Sequence, residues 1–201
     1  MSEVREKYLA AAMNVVKGVK IKVPFGASNR GTDYDAAYDK FHKKIEGANP
    51  NALDKLLGKM TYFLPLLTGA NRAQQIYAEK TGDMPAGESD ASKLDRMRKV
   101  ANITVKSKAG NCNEQSIVAF MDLYDLGIRP LAWVYMDNGR HAFVVIGRPS
   151  GTGNNPSGWG DDCVVCDPWA NEAYYLPSDK GAGILQAKWG CPTATPEFGV
   201  R

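Results

Sequence analysis

The strongest constraint on the fold is a pair of apolar segments that flank an Asn-Gly turn. The segments cover residues 130–136 and 141–147, and Asn138-Gly139 lies between them. Asn-Gly between two runs of β-branched and aromatic residues is a strong β-hairpin signal, because glycine readily adopts the positive φ that a tight turn requires. We therefore predict two antiparallel strands, with His141 opening the second.

Further strands are predicted after the hairpin, over residues 162–167 and 171–176. If the segments 141–147 and 162–167 pair in an antiparallel manner, the start of the first lies opposite the end of the second. This register predicts that His141 lies beside Asp167.

Immediately before the hairpin, the sequence predicts a capped helix that begins at Cys112. Asn111 is a good N-cap residue, and Glu114 follows it three positions later, as in a capping box. Gly127 stands where a helix commonly ends in a positive φ. Cys112 is then the first helical residue, where the partial positive charge of the helix end stabilises a thiolate.

The first hundred residues predict helices and carry few chemical signals. The predicted helices are Val4–Val19, Asp33–Ile45, Asn51–Leu67, Ala70–Lys80 and one from Ser89 or Asp90 to about Val100, with a loop over Thr81–Ser89. We therefore divide the chain into a helical scaffold or recognition region, 1–100, and a catalytic core, 101–201. The two parts are expected to form one compact unit.

Composition places the chain among soluble globular proteins, with 44% hydrophobic and 23% charged residues in a length of 201. The longest apolar stretch, 60–67, is far shorter than the roughly 18 residues of a membrane span. The N-terminus mixes acids and bases, so no ordinary export signal is expected.

Residues 1–108 have 19 Lys/Arg and 12 Asp/Glu, a charge of +7, while residues 109–201 have 6 and 10, a charge of −4. Without a dense Lys/Arg run we interpret the basic half as a solvated helical surface rather than a nucleic-acid site, with an acidic partner as the alternative.

Neither a metal nor a cofactor is expected. The four cysteines are Cys112, Cys163, Cys166 and Cys191, and reduced thiols are the default without an export signal. Cys163 and Cys166 have Cys-x-x-Cys spacing, but they fall in a predicted strand, where residues three apart point to opposite faces.

A nucleophilic thiol requires a base, and the chain contains only two histidines. His42 lies in a charged, helical stretch and is interpreted as a surface residue, which leaves His141. Cys112, His141 and Asp167 taken singly have structural explanations, as a small core residue, a packed ring and a turn starter. The helix start, the hairpin position and the strand register nevertheless coincide, and we predict a triad in which Cys112 is the nucleophile, His141 the base and Asp167 the group that orients the imidazole.

Three segments carrying these residues resemble the papain-fold and transglutaminase-like toxins and effectors of bacteria. They are Gly110–Gln115, His141–Gly147 and Val165–Trp169. The resemblance covers residues 105–176. It implies an α+β fold, in which a nucleophile helix packs on a small antiparallel sheet as a papain-like or transglutaminase-like core. It also implies the roles of nucleophile, base and orienting acid for Cys112, His141 and Asp167, in the same chain order.

The chain departs from papain near the nucleophile. Papain relatives place an oxyanion-hole Gln a few residues before the cysteine, and residues 105–109 contain none. Asn111, Gln115 or a lysine remain the candidates for that role. Trp169, which closes the third segment, is the candidate for substrate contact.

Family members are cysteine peptidases or glutamine deamidases that secretion systems inject into rival or host cells. The resemblance therefore implies a protein substrate, secretion by a dedicated system, action in the cytoplasm of a target cell, and an immunity protein or secretion carrier as partner. From the charge pattern and the short apolar stretches we expect neither a nucleic acid nor a membrane as partner. Peptide cleavage is the expected outcome. Glutamine deamidation or transglutamination is the alternative from the same thioester chemistry, and a non-catalytic adaptor is the second alternative.

Overall fold

A computed structural model of the chain describes residues 2–24, 26–27 and 89–201. Within these ranges the protein is α+β, with helices packed on an antiparallel sheet of five strands. The helices are α1 (Glu3–Lys22), α2 (Asp90–Ser107), α3 (Cys112–Asp125) and α4 (Gly181–Trp189), with a short 3-10 helix at Pro156–Gly158. The strands are β1 (Leu131–Met136), β2 (Ala142–Ile146), β3 (Val164–Asp167), β4 (Glu172–Tyr175) and β5 (Ala194–Val200).

The sheet has the order β4-β3-β2-β1-β5, and every pairing is antiparallel. The predicted hairpin forms β1 and β2, and Gly139 in its turn has a φ of 69°. In the β2–β3 pair Val144 lies opposite Cys166, so the start of β2 meets the end of β3. The predicted antiparallel register of these strands is confirmed.

Each face of the sheet has its own apolar core, because side chains alternate along a strand. Trp133, Val144 and Cys166 face the cluster that contains the buried sides of α1, α2 and α3. Val134, Phe143 and Val165 face the second cluster, which includes Trp159 and Leu185 of α4. The sheet is thereby covered on both sides.

The first helix begins at an N-cap serine and packs on the sheet. The Ser2 side chain accepts a hydrogen bond from the Arg5 N–H, acidic residues occupy the first turn and lysines the last, which complements the helix dipole. The predicted helix is confirmed and extends to Lys22. Its buried side, Ala12, Val15, Val16 and Val19, belongs to the core cluster shared with α3.

The helix predicted to end near Val100 continues to Ser107 as α2, where Lys108 takes a left-handed conformation. The proposed division after residue 100 therefore lies inside α2, and both α1 and α2 pack in the same core as α3. The local pattern did not predict this extension, in which Ala101 and Thr104 are buried. The predicted helices Asp33–Ile45, Asn51–Leu67 and Ala70–Lys80 and most of the loop Thr81–Ser89 lie outside the described residues, as does His42.

The sequence pattern did not predict α4 or β5. α4 contains two glycines and has no side-chain cap at its start, so it lacks the usual helix signals. β5 contains Pro196 and Gly199, both unfavourable in strand interiors, but it is an edge strand with an irregular register opposite β1.

None of the helices in the described ranges has the length and apolar character needed to cross a membrane.

Candidate functional site

Cys112 is the first residue of α3, as predicted, and it is half-buried. A capping box precedes it, in which the Asn111 N–H donates to Glu114 Oε2 at 2.8 Å. Gly110 permits this turn to close, since a Cβ there would lie 2.8 Å from Thr104 Cγ2 and 2.9 Å from Glu114 Cβ. The position of the thiol is therefore determined by hydrogen bonds within a few residues of the chain.

Glu114, two residues after Cys112, is fully buried. Burial raises the pKa of its carboxyl group, while hydrogen bonds from Asn111 and Asn113 act in the opposite direction. The carboxyl group thus serves as the internal cap of α3.

The two oxyanion candidates occupy structural positions next to Cys112. Gln115 is fully buried, and its Nε2 donates to the Gly110 carbonyl at 2.6 Å. Asn111 is 6% exposed and forms the cap. Helix geometry leaves the N–H groups of Cys112 and Asn113 without acceptors inside the helix, so they are the backbone donors nearest the sulfur. The oxyanion roles of Asn111 and Gln115 remain predictions.

Polar contacts attach the first turn of α3 to β1. Ser116 Oγ donates to the Asn113 carbonyl at 2.8 Å and accepts the Trp133 Nε1–H at 2.9 Å. The Tyr135 hydroxyl donates to Asn113 Oδ1. These bonds fix α3 against the strand that leads to the hairpin turn.

His141 directly precedes β2, at the end of the hairpin turn, and only 2% of it is exposed. Its carbonyl accepts the Met136 N–H at 2.9 Å, which closes the turn. His141 Nε2 lies 2.6 Å from Asp167 Oδ2, and Asp167 is fully buried at the end of β3. The predicted proximity of His141 and Asp167 is confirmed.

Asp167 is itself oriented by the turn that follows β3. Its second oxygen, Oδ1, accepts the Ala170 N–H at 3.0 Å, which leaves Oδ2 for the imidazole. The Asp-Pro sequence therefore does more than start a turn, because the turn amide fixes the carboxylate that faces His141.

Cys112 is one of the groups that raise the pKa of the His141 ring, so its thiol lies within interaction range of the imidazole. Because Nε2 is engaged by Asp167, Nδ1 is the nitrogen that remains for the sulfur. Burial acts to lower the pKa of His141, but the hydrogen bonds to Asp167 and Cys112 and the charges of these two groups outweigh it and raise the pKa to about 9. At neutral pH the imidazole is therefore charged, and a charged imidazole stabilises an adjacent thiolate.

This shift predicts a titration that NMR can measure directly. We expect the ring protons of His141 to titrate with a midpoint of about 9. Because this value lies above the roughly 6.5 of an unfolded chain, the stability contributed by the charged ring is complete below about pH 6.5 and is lost as the pH rises towards the folded value. His42 is the only other histidine, so the His42→Gln variant leaves a single signal to follow. A midpoint at or below that of free histidine would contradict the assigned contacts.

Two tryptophans surround the imidazole. Trp189 stacks on it with ring centroids 3.8 Å apart and an interplanar angle of 21°. Trp169, the predicted substrate contact, lies in an edge-on arrangement at 5.2 Å and 60°. Both are half-buried and contact the imidazole of His141 from different sides. Sequence reasoning did not find Trp189, because no local signal connects the end of α4 with a histidine 48 positions earlier.

Two of the other three cysteines are core residues. Cys163 and Cys166 are buried on opposite faces of the sheet, in the two separate core clusters. Burial raises the pKa of the Cys163 thiol to about 12 and also raises that of Cys166. Across the described ranges, no group of three or more His, Cys, Asp or Glu side chains is arranged to hold a metal ion.

Comparison with known proteins returns neither a matching family model nor a significant match to a curated protein. The functional argument therefore depends on the geometry of the site and on the resemblance of its three segments.

Proposed function

We propose that this protein is a thiol-dependent acyl-transfer enzyme with the catalytic triad Cys112, His141 and Asp167, and that it is a papain-like cysteine peptidase. The observation that carries the proposal is the buried His141–Asp167 pair, whose imidazole also interacts with a half-buried thiol at a helix N-terminus. Thiolate, base and orienting acid in this arrangement are the parts that nucleophilic acyl transfer requires.

The chemistry follows from the positions of these groups. The Cys112 thiolate attacks an amide carbonyl, and the oxyanion that forms lies near the free N–H groups at the start of α3. The His141 imidazolium then transfers its proton to the leaving nitrogen, the C–N bond breaks, and a thioester remains on Cys112. The neutral imidazole next accepts a proton from water, and the resulting hydroxide attacks the thioester, which releases the carboxylic acid and restores the Cys112 thiolate beside the charged imidazole.

Asp167 takes no proton in this cycle. It keeps Nε2 protonated, so that Nδ1 is the nitrogen that exchanges a proton with the sulfur and the substrate. Because Asp167 is buried and held by the Ala170 amide, its charge acts on the ring with little screening by solvent.

The substrate class is a protein, and the expected product is a cleaved polypeptide. The same thioester gives glutamine deamidation when the attacked carbonyl belongs to a Gln side chain, and crosslinking when an amine replaces water. Delivery as a toxin or effector into a target cell is part of the proposal and is supported by the resemblance of the three segments.

A comparison of the wild type with Cys112→Ala tests this proposal. Each protein is expressed inside cells, and the proteome is analysed by mass spectrometry for new peptide termini and for conversion of Gln to Glu. New termini that depend on Cys112 support the peptidase, whereas Cys112-dependent conversion of Gln replaces it with the deamidase. If neither change depends on Cys112 and the folded variant binds the same cellular proteins as the wild type, the acyl-transfer proposal is rejected in favour of an adaptor.

A further inference from the structure

Trp189 covers one face of the imidazole of His141. The two rings are nearly parallel, with centroids 3.8 Å apart, and this is the closest ring contact of His141 in the described part of the chain. Trp169 approaches edge-on, so only Trp189 presents an aromatic face in stacking geometry.

The end of α4 is attached to the turn that carries His141. Asn138 Nδ2 donates to the Trp189 carbonyl at 2.9 Å, directly from the β1–β2 turn. The residue after Trp189, Gly190, has a φ of 70° and closes the helix with an N–H bond to the Gln186 carbonyl. Leu185, one turn earlier in α4, is fully buried in the second core cluster. Trp189 is therefore held both by its own helix and by the hairpin turn.

The chain that follows is joined to the same turn. The Asp137 N–H donates to the Thr193 carbonyl at 3.1 Å, and Thr195 Oγ1 donates to Asp137 Oδ1 at 2.7 Å. The turn between β1 and β2, the end of α4 and the start of β5 thus form one hydrogen-bonded unit around His141. A rotation of the imidazole out of its plane would collide with an indole that cannot easily move away.

An indole face also suits a charged ring. Among aromatic side chains, tryptophan attracts a cation above its face most strongly, and the attraction grows where solvent is excluded. His141 is almost fully buried here, so the indole both restricts the plane of the ring and favours its charged form.

We infer that Trp189 is a positioning residue for the proposed reaction, which holds the His141 ring in the plane where Nε2 meets Asp167 and Nδ1 meets Cys112. The inference rests on the proposed function, but Trp189 itself makes and breaks no bond. Its indole acts through His141, and it does so from a helix that lies outside the segments resembling known effectors.

The test compares Trp189→Leu and Trp189→Phe with the wild type, and uses Lys188→Ala as the matched control. Lys188 precedes Trp189 in α4 and forms an exposed ion pair with Glu172. Two properties are measured without any substrate: the NMR titration midpoint of His141, and the rate at which iodoacetamide alkylates Cys112 at neutral pH, followed by mass spectrometry.

Trp189→Leu is expected to lower the midpoint of His141 by roughly 0.5 to 1 pH unit. Alkylation of Cys112 is expected to slow several-fold, because less of the thiol is paired with a charged imidazole. Trp189→Phe, which keeps an aromatic face, is expected to restore part of both properties, and Lys188→Ala to leave both unchanged. If Trp189→Leu does not fold, Asn138→Ala releases the anchor while keeping the indole, and it should shift both properties in the same direction.

A folded Trp189→Leu variant with an unchanged midpoint and an unchanged alkylation rate would overturn the inference, as would the same result for Asn138→Ala where Trp189→Leu cannot be studied. Failure of the proposed function has a different signature. If only the proposed function is wrong, Trp189→Leu still changes both properties, while no product in cells depends on Cys112.

Discussion

The Cys112→Ala variant is expected to fold like the wild type and to lose essentially all activity on its substrate, a decrease on the order of 10^4-fold or more. The two core thiols cannot replace it, since Cys163 and Cys166 are fully buried and their high pKa keeps them protonated. The fold should survive, because Asn111 and Glu114 make the capping box without the sulfur. Initial rates on the identified substrate measure the effect, and circular dichroism checks the fold.

Cys191→Ala is the matched control for this experiment. Cys191 is also half-buried, but its contacts are with Thr193 rather than with the imidazole. We expect the control to keep wild-type activity and Cys112 to remain the thiol that iodoacetamide modifies fastest. Activity that survives in Cys112→Ala but disappears in Cys191→Ala would show that Cys191, and not Cys112, is the nucleophile.

Asp167→Asn is expected to reduce kcat/KM by roughly 10^2 to 10^4-fold, although the side chain keeps its size and shape. In the wild type Oδ1 accepts the Ala170 N–H and Oδ2 faces His141 Nε2. An asparagine that keeps the Ala170 bond through its oxygen must direct its NH2 group at Nε2. The neutral ring then carries its proton on Nδ1, facing Cys112, where it cannot accept the proton of the thiol.

The same substitution removes a buried charge next to the imidazole. Because the Asp167 carboxylate is a main cause of the raised pKa of His141, the titration midpoint of about 9 should fall in Asp167→Asn. The loss of activity should appear mainly in kcat and persist across the pH range, since the protonated nitrogen is the wrong one. Asp162→Asn makes the same change at a surface carboxylate that accepts a hydrogen bond from Ser2, and it is expected to leave kcat unchanged. An Asp167→Asn enzyme with wild-type kcat would show that the carboxylate has no part in the reaction.

Local signals in the sequence predicted much of the site. The capping box that begins α3 at Cys112 involves residues within three positions of one another, and the hairpin turn involves neighbours as well. Hydrogen bonds over such short separations form with little dependence on the rest of the fold, so residue patterns identify them. The proximity of His141 and Asp167 followed from these strands because an antiparallel register couples the start of one strand with the end of the next.

The sequence by itself thus determined the elements that carry Cys112, His141 and Asp167 and the register that joins two of them. Only the tertiary structure decided that α1 and α2 share a core with α3, that β5 pairs with β1, and that Trp189 stacks on His141. These contacts join residues far apart in the chain, and each depends on how apolar surfaces of several elements fit together. No short pattern contains that information, because the free energy that selects such a contact comes from burial shared across the whole fold.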